Sequence, residues 1–309
     1  MNMKSVPFYH VNAFTDQAFG GNPAGVVLNA RGLFDREMQL IAREVNLSET
    51  AFVLQPTVST ADLRIRWFTP TMEVPLCGHA TIAAFHALAE NQMFKMTGSG
   101  LYRFRLQTKR GILGIVVEKK HSGTIVEFQL PLPKFRQIPR LPNRLLESLG
   151  IRIKDLHQSL PVVADSYLYI PLKSLNRMRD IEPEFTNLER ICDGMKVLGV
   201  SLFALDPIEK SSAFHSRFFA PSAGVNEDPV TGSANGPLGA YVYQYAHTTG
   251  DVIPSLAMID GRIEYIGEQG DLIGRRGRVK VRVKGKKKGI ASIAIAGEAV
   301  TFCKSELHF

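Results

Sequence analysis

Arg66-Trp67-Phe68-Thr69-Pro70, leading into Pro75-Leu76-Cys77-Gly78-His79-Ala80, has a second version further along the chain. That version is Arg217-Phe218-Phe219-Ala220-Pro221 with Pro229-Val230-Thr231-Gly232-Ser233-Ala234. In both, R-x-F-x-P precedes P-x-x-G-x-A and then a run of small and apolar residues, 81–89 and 235–246, which reads as a helix. Upstream, Phe52-Val53-Leu54 stands as far before Arg66 as Phe203-Ala204-Leu205 stands before Arg217. The copies lie about half a chain apart, so the pattern predicts two similar halves.

Symmetry makes the differences informative. Cys77 in the first copy is matched by Thr231, His79 by Ser233, and Glu49 by Val200 at the same offset. One-sided polar chemistry on a two-fold scaffold points to a site where the halves meet.

At 309 residues, with 45% hydrophobic and 21% charged residues, the chain accommodates two globular domains of roughly 150 residues each. No apolar run approaches the roughly 20 residues that span a bilayer, and residues 1–10 lack a basic segment followed by an apolar core, so no membrane partner and a cytoplasmic location are expected. Cys77, Cys192 and Cys303 form no C-x-x-C pair, which suits a reducing compartment without structural disulfides.

The net charge of +8 raises nucleic acid as a partner, but the excess sits in Arg275-Arg276-Gly277-Arg278 and in residues 280–288. Val279-Lys280-Val281-Arg282-Val283-Lys284 alternates strictly, which places its charges on the solvated face of a strand. Lys286-Lys287-Lys288 then reads as a hairpin turn into Ala291-Ser292-Ile293-Ala294-Ile295. No nucleic-acid partner is expected, because no helix-turn-helix or RNA-binding signature accompanies the charge. Gly20-Gly21-Asn22-Pro23-Ala24-Gly25 lacks G-x-G-x-x-G and G-x-x-x-x-G-K-[ST], and strand rather than helix follows, so no nucleotide is expected there.

Leu33, Met38, Ile41, Ala42 and Val45 fall on one side of a helix over residues 35–45, ended by Asn46. Glu49 falls on the connection to a strand at 51–54, where an exposed carboxylate is the ordinary outcome. Strands at 101–106, 111–118 and 124–130 precede Pro131-Leu132-Pro133, the expected linker. The domains are therefore read as residues 1–130 and 131–309, with 299–309 either closing the second or returning to the first. The fold class is α+β, each half a curved sheet around one apolar helix.

Small residues at a helix start leave first-turn N–H groups open to an anion, and the helix dipole favours a negative charge there. Gly78, His79 and Ala80 supply such a start, and Gly232 and Ser233 with Ala234 supply another, so a carboxylate substrate is expected. His79, Asp228 and Ser233 at corresponding places strengthen that reading. Each also has an ordinary structural role: His79 as a satisfied core histidine, Asp228 as a turn cap before Pro229. Cys77-x-His79 is a weak metal signal, because the other cysteines are isolated and no H-E-x-x-H occurs; no metal is expected. Ser233, His79 and Asp228 include the residue types of a hydrolase triad, but Gly232-Ser233-Ala234-Asn235-Gly236 is not a nucleophile elbow.

Phe14-Thr15 with Phe19-Gly20-Gly21-Asn22-Pro23-Ala24, Asn46-Leu47-Ser48-Glu49-Thr50-Ala51-Phe52, Phe68-Thr69-Pro70 with Cys77-Gly78-His79-Ala80-Thr81, and Asp228-Pro229-Val230-Thr231-Gly232-Ser233-Ala234 together resemble the PhzF-like family of phenazine-biosynthesis isomerase relatives. Glu268-Gln269-Gly270 and Gly274-Arg275 extend the resemblance toward the end of the chain. It implies the diaminopimelate-epimerase-like fold: two pseudo-symmetric domains, each a β-barrel-like sheet around a central helix, assembled as a homodimer. It also implies Glu49 as the acid/base glutamate, supporting roles for His79, Asp228 and Ser233, and no cofactor. In the best-known member the substrate is a dihydro-hydroxyanthranilate. Arg276-Gly277 departs from the Pro-Ser that often follows Gly-Arg in the family.

Related cofactor-independent epimerases use two cysteines, one at each motif, whereas this chain pairs Cys77 with Thr231. Stereoinversion needs a base on each face of a carbon, and a Thr hydroxyl is far less acidic than a thiol. The expectation is a proton-shift isomerisation of a small carboxylate or cyclic amino acid with Glu49 as the shuttle. A Cys77-dependent amino-acid epimerase and a non-catalytic small-molecule binder are the alternatives.

Overall fold

Alternating apolar residues near the start form two antiparallel strands, β1 (Ser5–Ala13) and β2 (Asn22–Val27), in register from Tyr9 opposite Val26 to Ala13 opposite Asn22. The computed structural model describes residues 4–247, 257–259 and 261–309. The chain divides into two units, Met1–Gln129 with Ala296–Phe309 and Leu130–Ile295.

In the first unit, α1 (Asp35–Val45) begins where Glu37 accepts a 2.8 Å hydrogen bond from the Phe34 amide. It stops where Asn46 turns left-handed, at φ 52°. Met38, Ile41 and Ala42 bury its inner face in a cluster with Val27, Phe52 and Phe68. β3 (Glu49–Leu54) runs parallel to β2 and antiparallel to β4 (Leu63–Phe68), which also takes up β5 (Glu73–Val74). Phe52 and Phe68 meet edge to face across β3 and β4 with centroids 5.5 Å apart, each buried ring contributing about 1.5–3 kcal/mol.

The run after the first motif is α2 (Gly78–Glu90), buried from His79 to Phe85 and again from Ala87 to Ala89. A helix apolar on nearly every side belongs in a core, and its alanines admit close approach of strands. It packs against β1, β2 and β3. β6 (Gly100–Thr108), β7 (Gly111–Lys120) and β8 (Gly123–Leu130) form a meander, with β6 parallel to β4. The chain's last strand, Ala299–His308, pairs with β1 from Ser5 opposite His308 to Ala13 opposite Ala299, and so lies in this unit.

In the second unit the chain runs β9 (Arg136–Gln137), α3 (Asn143–Ser148), β10 (Val163–Ala164), β11 (Leu168–Pro171), α4 (Leu175–Arg179), α5 (Phe185–Met195), β12 (Val200–Ala204), β13 (Phe214–Ala220), β14 (Val225–Asp228), α6 (Gly232–Tyr241), β15 (Ala257–Ile259), β16 (Arg262–Gln269), β17 (Gly277–Gly285) and β18 (Ile290–Gly297). β12 is parallel to β11 and antiparallel to β13, which is parallel to β16. That is the order in which β2, β3, β4 and β6 are joined in the first unit. The second motif's helix, α6, is packed closely enough that a Cβ at Gly239 would lie 2.5 Å from Val281 Cγ1 on β17. Only glycine fits there.

The basic tail departs in part from its expected exposure. Lys284 and residues 286–288 are exposed, but Arg282 is buried, with Nε 2.7 Å from Glu264 Oε2 on β16. Arg278 is nearly as covered, donating at 2.9 Å to each carboxylate oxygen of Asp271 and at 2.8 Å to Glu209. Alternation correctly shows which positions carry charge; the acids on neighbouring segments, invisible to it, decide which charges turn inward. Among the described residues no helix is long and apolar enough to cross a membrane.

Candidate active site

In the first unit, β3 brings Glu49 and the start of α2 brings Cys77 and His79 to one place. Glu49 is the first residue of its strand, opposite Ala24 of β2, rather than part of the connection before it. Cys77 is the N-cap of α2 in extended conformation, and no side chain caps the helix. His79 follows in the first turn and is buried. Its Nε2 lies 3.3 Å from Glu49 Oε2 and 3.2 Å from Ser48 Oγ, while its Nδ1 lies 3.5 Å from Cys77 Sγ. The Glu49 side chain retains 20% exposure, against 9% for the imidazole behind it. Ser48 Oγ also donates to the Pro23 carbonyl at 3.3 Å, tying this cluster to the Gly-rich loop. A carboxylate backed by an imidazole, beside uncapped helix N–H groups, is equipped to bind an anion and move a proton.

Of the remaining expected residues, Asp228 and Thr231 gather in the second unit around Gln269, a residue assigned no role from sequence alone. Thr231, the N-cap of α6, donates its hydroxyl to Asp228 Oδ2. Gln269, at the end of β16, donates to the Asp228 carbonyl at 2.7 Å and to Thr231 Oγ1 at 3.1 Å. Its own oxygen accepts from the Thr231 amide at 3.0 Å and from Asn235 Nδ2 at 2.8 Å. The side-chain amide thus uses both ends to hold the turn into α6. Ser233 Oγ lies outside this knot, 2.9 Å from the Tyr167 hydroxyl.

Next to Gln269, the fully buried Glu268 accepts from the amides of Ile208 and Glu209 at 2.7 and 2.8 Å and sits 3.0 Å from His215 Nδ1. Burial pushes its carboxyl up, but these hydrogen bonds and the Arg278 charge outweigh it and hold the group below the usual carboxylate range. The end of β16 is therefore pinned, and Gln269 with it. The sequence carried a signal for Gln269 in Glu268-Gln269-Gly270, but not for its partners.

Sheet register corrects one match made by counting. Thr50 faces Phe68 across β3 and β4, and Val200 faces Phe219 across β12 and β13. With Phe68 and Phe219 equivalent in the two motifs, Thr50 matches Val200, and Glu49 matches Gly199 rather than Val200. The loop joining the paired strands holds nine residues in the second unit (205–213) and eight in the first (55–62), which moves the count by one. A Cβ at Gly199 would lie 2.6 Å from the Phe219 carbonyl oxygen, so the second unit has no room for a side chain there.

Glu49, Cys77 and His79 also offer one carboxylate oxygen, one thiol and one imidazole nitrogen, all within 4.8 Å of one another. Sequence spacing gave no metal motif, because Glu49 is remote from Cys77 along the chain.

Comparison with known proteins places these features in a family. The family profile described as "Phenazine biosynthesis-like protein" matches residues 11–305. The chain is 38% identical over 307 residues to an uncharacterized isomerase of Clostridium acetobutylicum, covering 97% of each. It is similar to the crystal structure of a Bacillus anthracis phenazine biosynthesis protein of the PhzF family, with a TM-score of 0.86, 32% identity, and coverage of 98% of this chain and 99% of that one. A hydroxyproline epimerase from Agrobacterium vitis superposes with a TM-score of 0.60 over 100% of this chain and 92% of that one; at 14% identity it speaks to the fold alone. The fold is α+β and diaminopimelate-epimerase-like.

Proposed function

This chain belongs to the PhzF family of phenazine biosynthesis-like proteins, and we propose that it is a cofactor-independent isomerase in which Glu49 shifts a proton on a small carboxylate or cyclic amino-acid substrate. Its curated relatives from Clostridium acetobutylicum and Escherichia coli are named isomerases. The observation that carries the reading is the 3.3 Å approach of His79 Nε2 to Glu49 Oε2 at the uncapped start of α2. The imidazole fixes the carboxylate, and the first-turn N–H groups of Gly78, His79 and Ala80 form an anion subsite beside it. Gly232 and Ser233 form a second helix start of the same kind, and Asp228 and Ser233 take supporting polar roles.

One carboxylate can remove a proton from one carbon and return it to another on the same face. A matched second base is not needed, and the equivalent position, Gly199, has no space for one. Thr231 has its hydroxyl engaged by Asp228, which leaves it a poor substitute for a second thiol. In this reading the enzyme works in the cytoplasm as a homodimer.

One observation favours a second reading: Cys77 Sγ lies 3.5 Å from His79 Nδ1, an imidazole partner of the kind that activates thiols. A Cys77-dependent epimerase would lose α-proton exchange in Cys77→Ala and keep it in Glu49→Gln. The test is deuterium incorporation from heavy water into a panel of cyclic and acyclic amino acids, dihydro-hydroxyanthranilate among them, for the parent, Glu49→Gln and Cys77→Ala. Exchange abolished only in Glu49→Gln supports the proton shift; exchange that survives in Glu49→Gln removes the glutamate from the chemistry.

A further inference from the structure

We propose that Glu49, Cys77 and His79 form a binding site for a soft divalent cation of the zinc class. Thiolate, imidazole and carboxylate together are a donor set that Zn2+ takes, with three protein ligands and a fourth position left for water. The spacing of one donor pair already fits. Ligand atoms on a tetrahedral zinc lie roughly 3.3–3.6 Å apart, given bond lengths of about 2.0–2.3 Å. Cys77 Sγ and His79 Nδ1 are 3.5 Å apart, already at that separation. Both come from the start of one helix, so the backbone of α2 holds the pair.

Glu49 supplies the third ligand. Its Oε2 now rests against Nε2, on the other side of the imidazole, and a carboxylate oxygen lies within 4.8 Å of Cys77 Sγ and of an imidazole nitrogen. A rotamer change swings the carboxylate to the metal, and its partial exposure gives the ion an entry path. Ser48 Oγ, 3.2 Å from Nε2 and anchored on the Pro23 carbonyl, keeps the outer nitrogen occupied and the ring oriented, as outer partners of zinc-bound histidines do. Binding converts the Cys77 thiol to a thiolate and releases its proton to solvent. The occupied site draws Glu49 away from any substrate, so zinc acts as a reversible brake; that consequence, unlike the binding itself, rests on the catalytic role proposed above.

Zinc titration of the full chain against a chromophoric chelator tests the site without reference to turnover. One Zn2+ per chain is expected, with affinity about tenfold or more weaker in Cys77→Ser and in His79→Gln, and weaker also in Glu49→Gln. Cys303→Ser, which removes the exposed thiol on the last strand, leaves affinity unchanged. Co2+ in place of Zn2+ gives sulfur-to-metal charge-transfer absorption that disappears in Cys77→Ser. Circular dichroism confirms folding of each variant, and if Cys77→Ser fails to fold, His79→Gln and Glu49→Gln decide. Binding undiminished in the three site variants, binding lost in Cys303→Ser, or no binding at micromolar Zn2+ overturns the assignment. None of these results bears on deuterium exchange, so the site and the isomerase reading stand or fall separately.

Discussion

The two units share a frame and differ in what the frame carries. Arg66 and Arg217 occupy the same place in the motif, and each grips a glutamate with two parallel hydrogen bonds. Arg66 donates to Glu73 at 2.8 and 2.7 Å, and Arg217 to Glu227 at 2.8 Å twice. Each guanidinium also lies over the ring two residues on, 5.1 Å from the centroid of Phe68 and 5.0 Å from that of Phe219. The arginines and phenylalanines of the motif are struts. At the site the two differ: Glu49 and Cys77 both approach His79 in the first unit, while their counterparts are Gly199, Thr231 and Ser233. Thr231 is consumed in holding a turn. Duplicated positions that remain alike hold the architecture, and the diverged ones are where we propose the chemistry to lie.

The sharpest break in this comparison is at Glu49. Glu49→Gln keeps size and hydrogen bonding but removes the proton carrier, so turnover should fall by about 10²–10⁴-fold with stability little changed, as read by kcat alongside urea denaturation. A drop of only a few-fold would mean that the diverged positions do not mark the chemistry. Next are the struts. Removing one partner of a buried ion pair costs about 3–5 kcal/mol, and Arg217→Ala should reach that range because Arg217 also donates to the carbonyls of Met178 and Ile181. Arg66→Ala should cost less, since its other partner, Asp35, is 78% exposed. Equal urea midpoints for the two would show that the struts are more alike than their contacts.

Gly199→Ala sharpens the comparison from the other side. The added methyl meets the Phe219 carbonyl and should cost about 1–3 kcal/mol of stability, measured by urea midpoint, without the turnover loss of Glu49→Gln. The smallest effect is one of pH. Burial of His86 within α2 holds its imidazole below the ordinary value of 6.5, so between the two values the unfolded chain takes up a proton that the folded chain does not. Stability is therefore full above about 6.5 and declines as pH falls through that value toward the folded one. Glu268 in the second unit is also held low, by its hydrogen bonds and the Arg278 charge acting against burial: its stabilisation is full above 4.5 and lost as pH falls from there toward its lower folded value. His86→Leu should flatten the upper part of the acid limb in thermal melts and leave the lower part intact.

Much of this was legible in the sequence because local chemistry decides it. Residues 35–45 carry apolar side chains at helical spacing with Asn46 ready to turn left-handed, and α1 has those bounds. The two P-x-x-G-x-A runs start α2 and α6 at their glycines. Glu49 and His79 could be named, but not their contact, which depends on how β3 lies against the start of α2. Three features stayed hidden because they are set by pairing across long separations. The extra loop residue between β12 and β13 shifts the match of Glu49 from Val200 to Gly199. Glu264 turns Arg282 inward, and Gln269 reaches Thr231 and Asp228 from 38 and 41 positions away in sequence.

The central claim is that the chemistry is one-sided, a single carboxylate working on one face of the substrate. Nuclear magnetic resonance of product formed in heavy water by the parent enzyme locates the incoming deuterium and its stereochemistry. Deuterium on a different carbon from the one deprotonated, on the same face, and dependent on Glu49, is the predicted result. Deuterium on the original carbon with inverted configuration would contradict it and place a second base opposite the first.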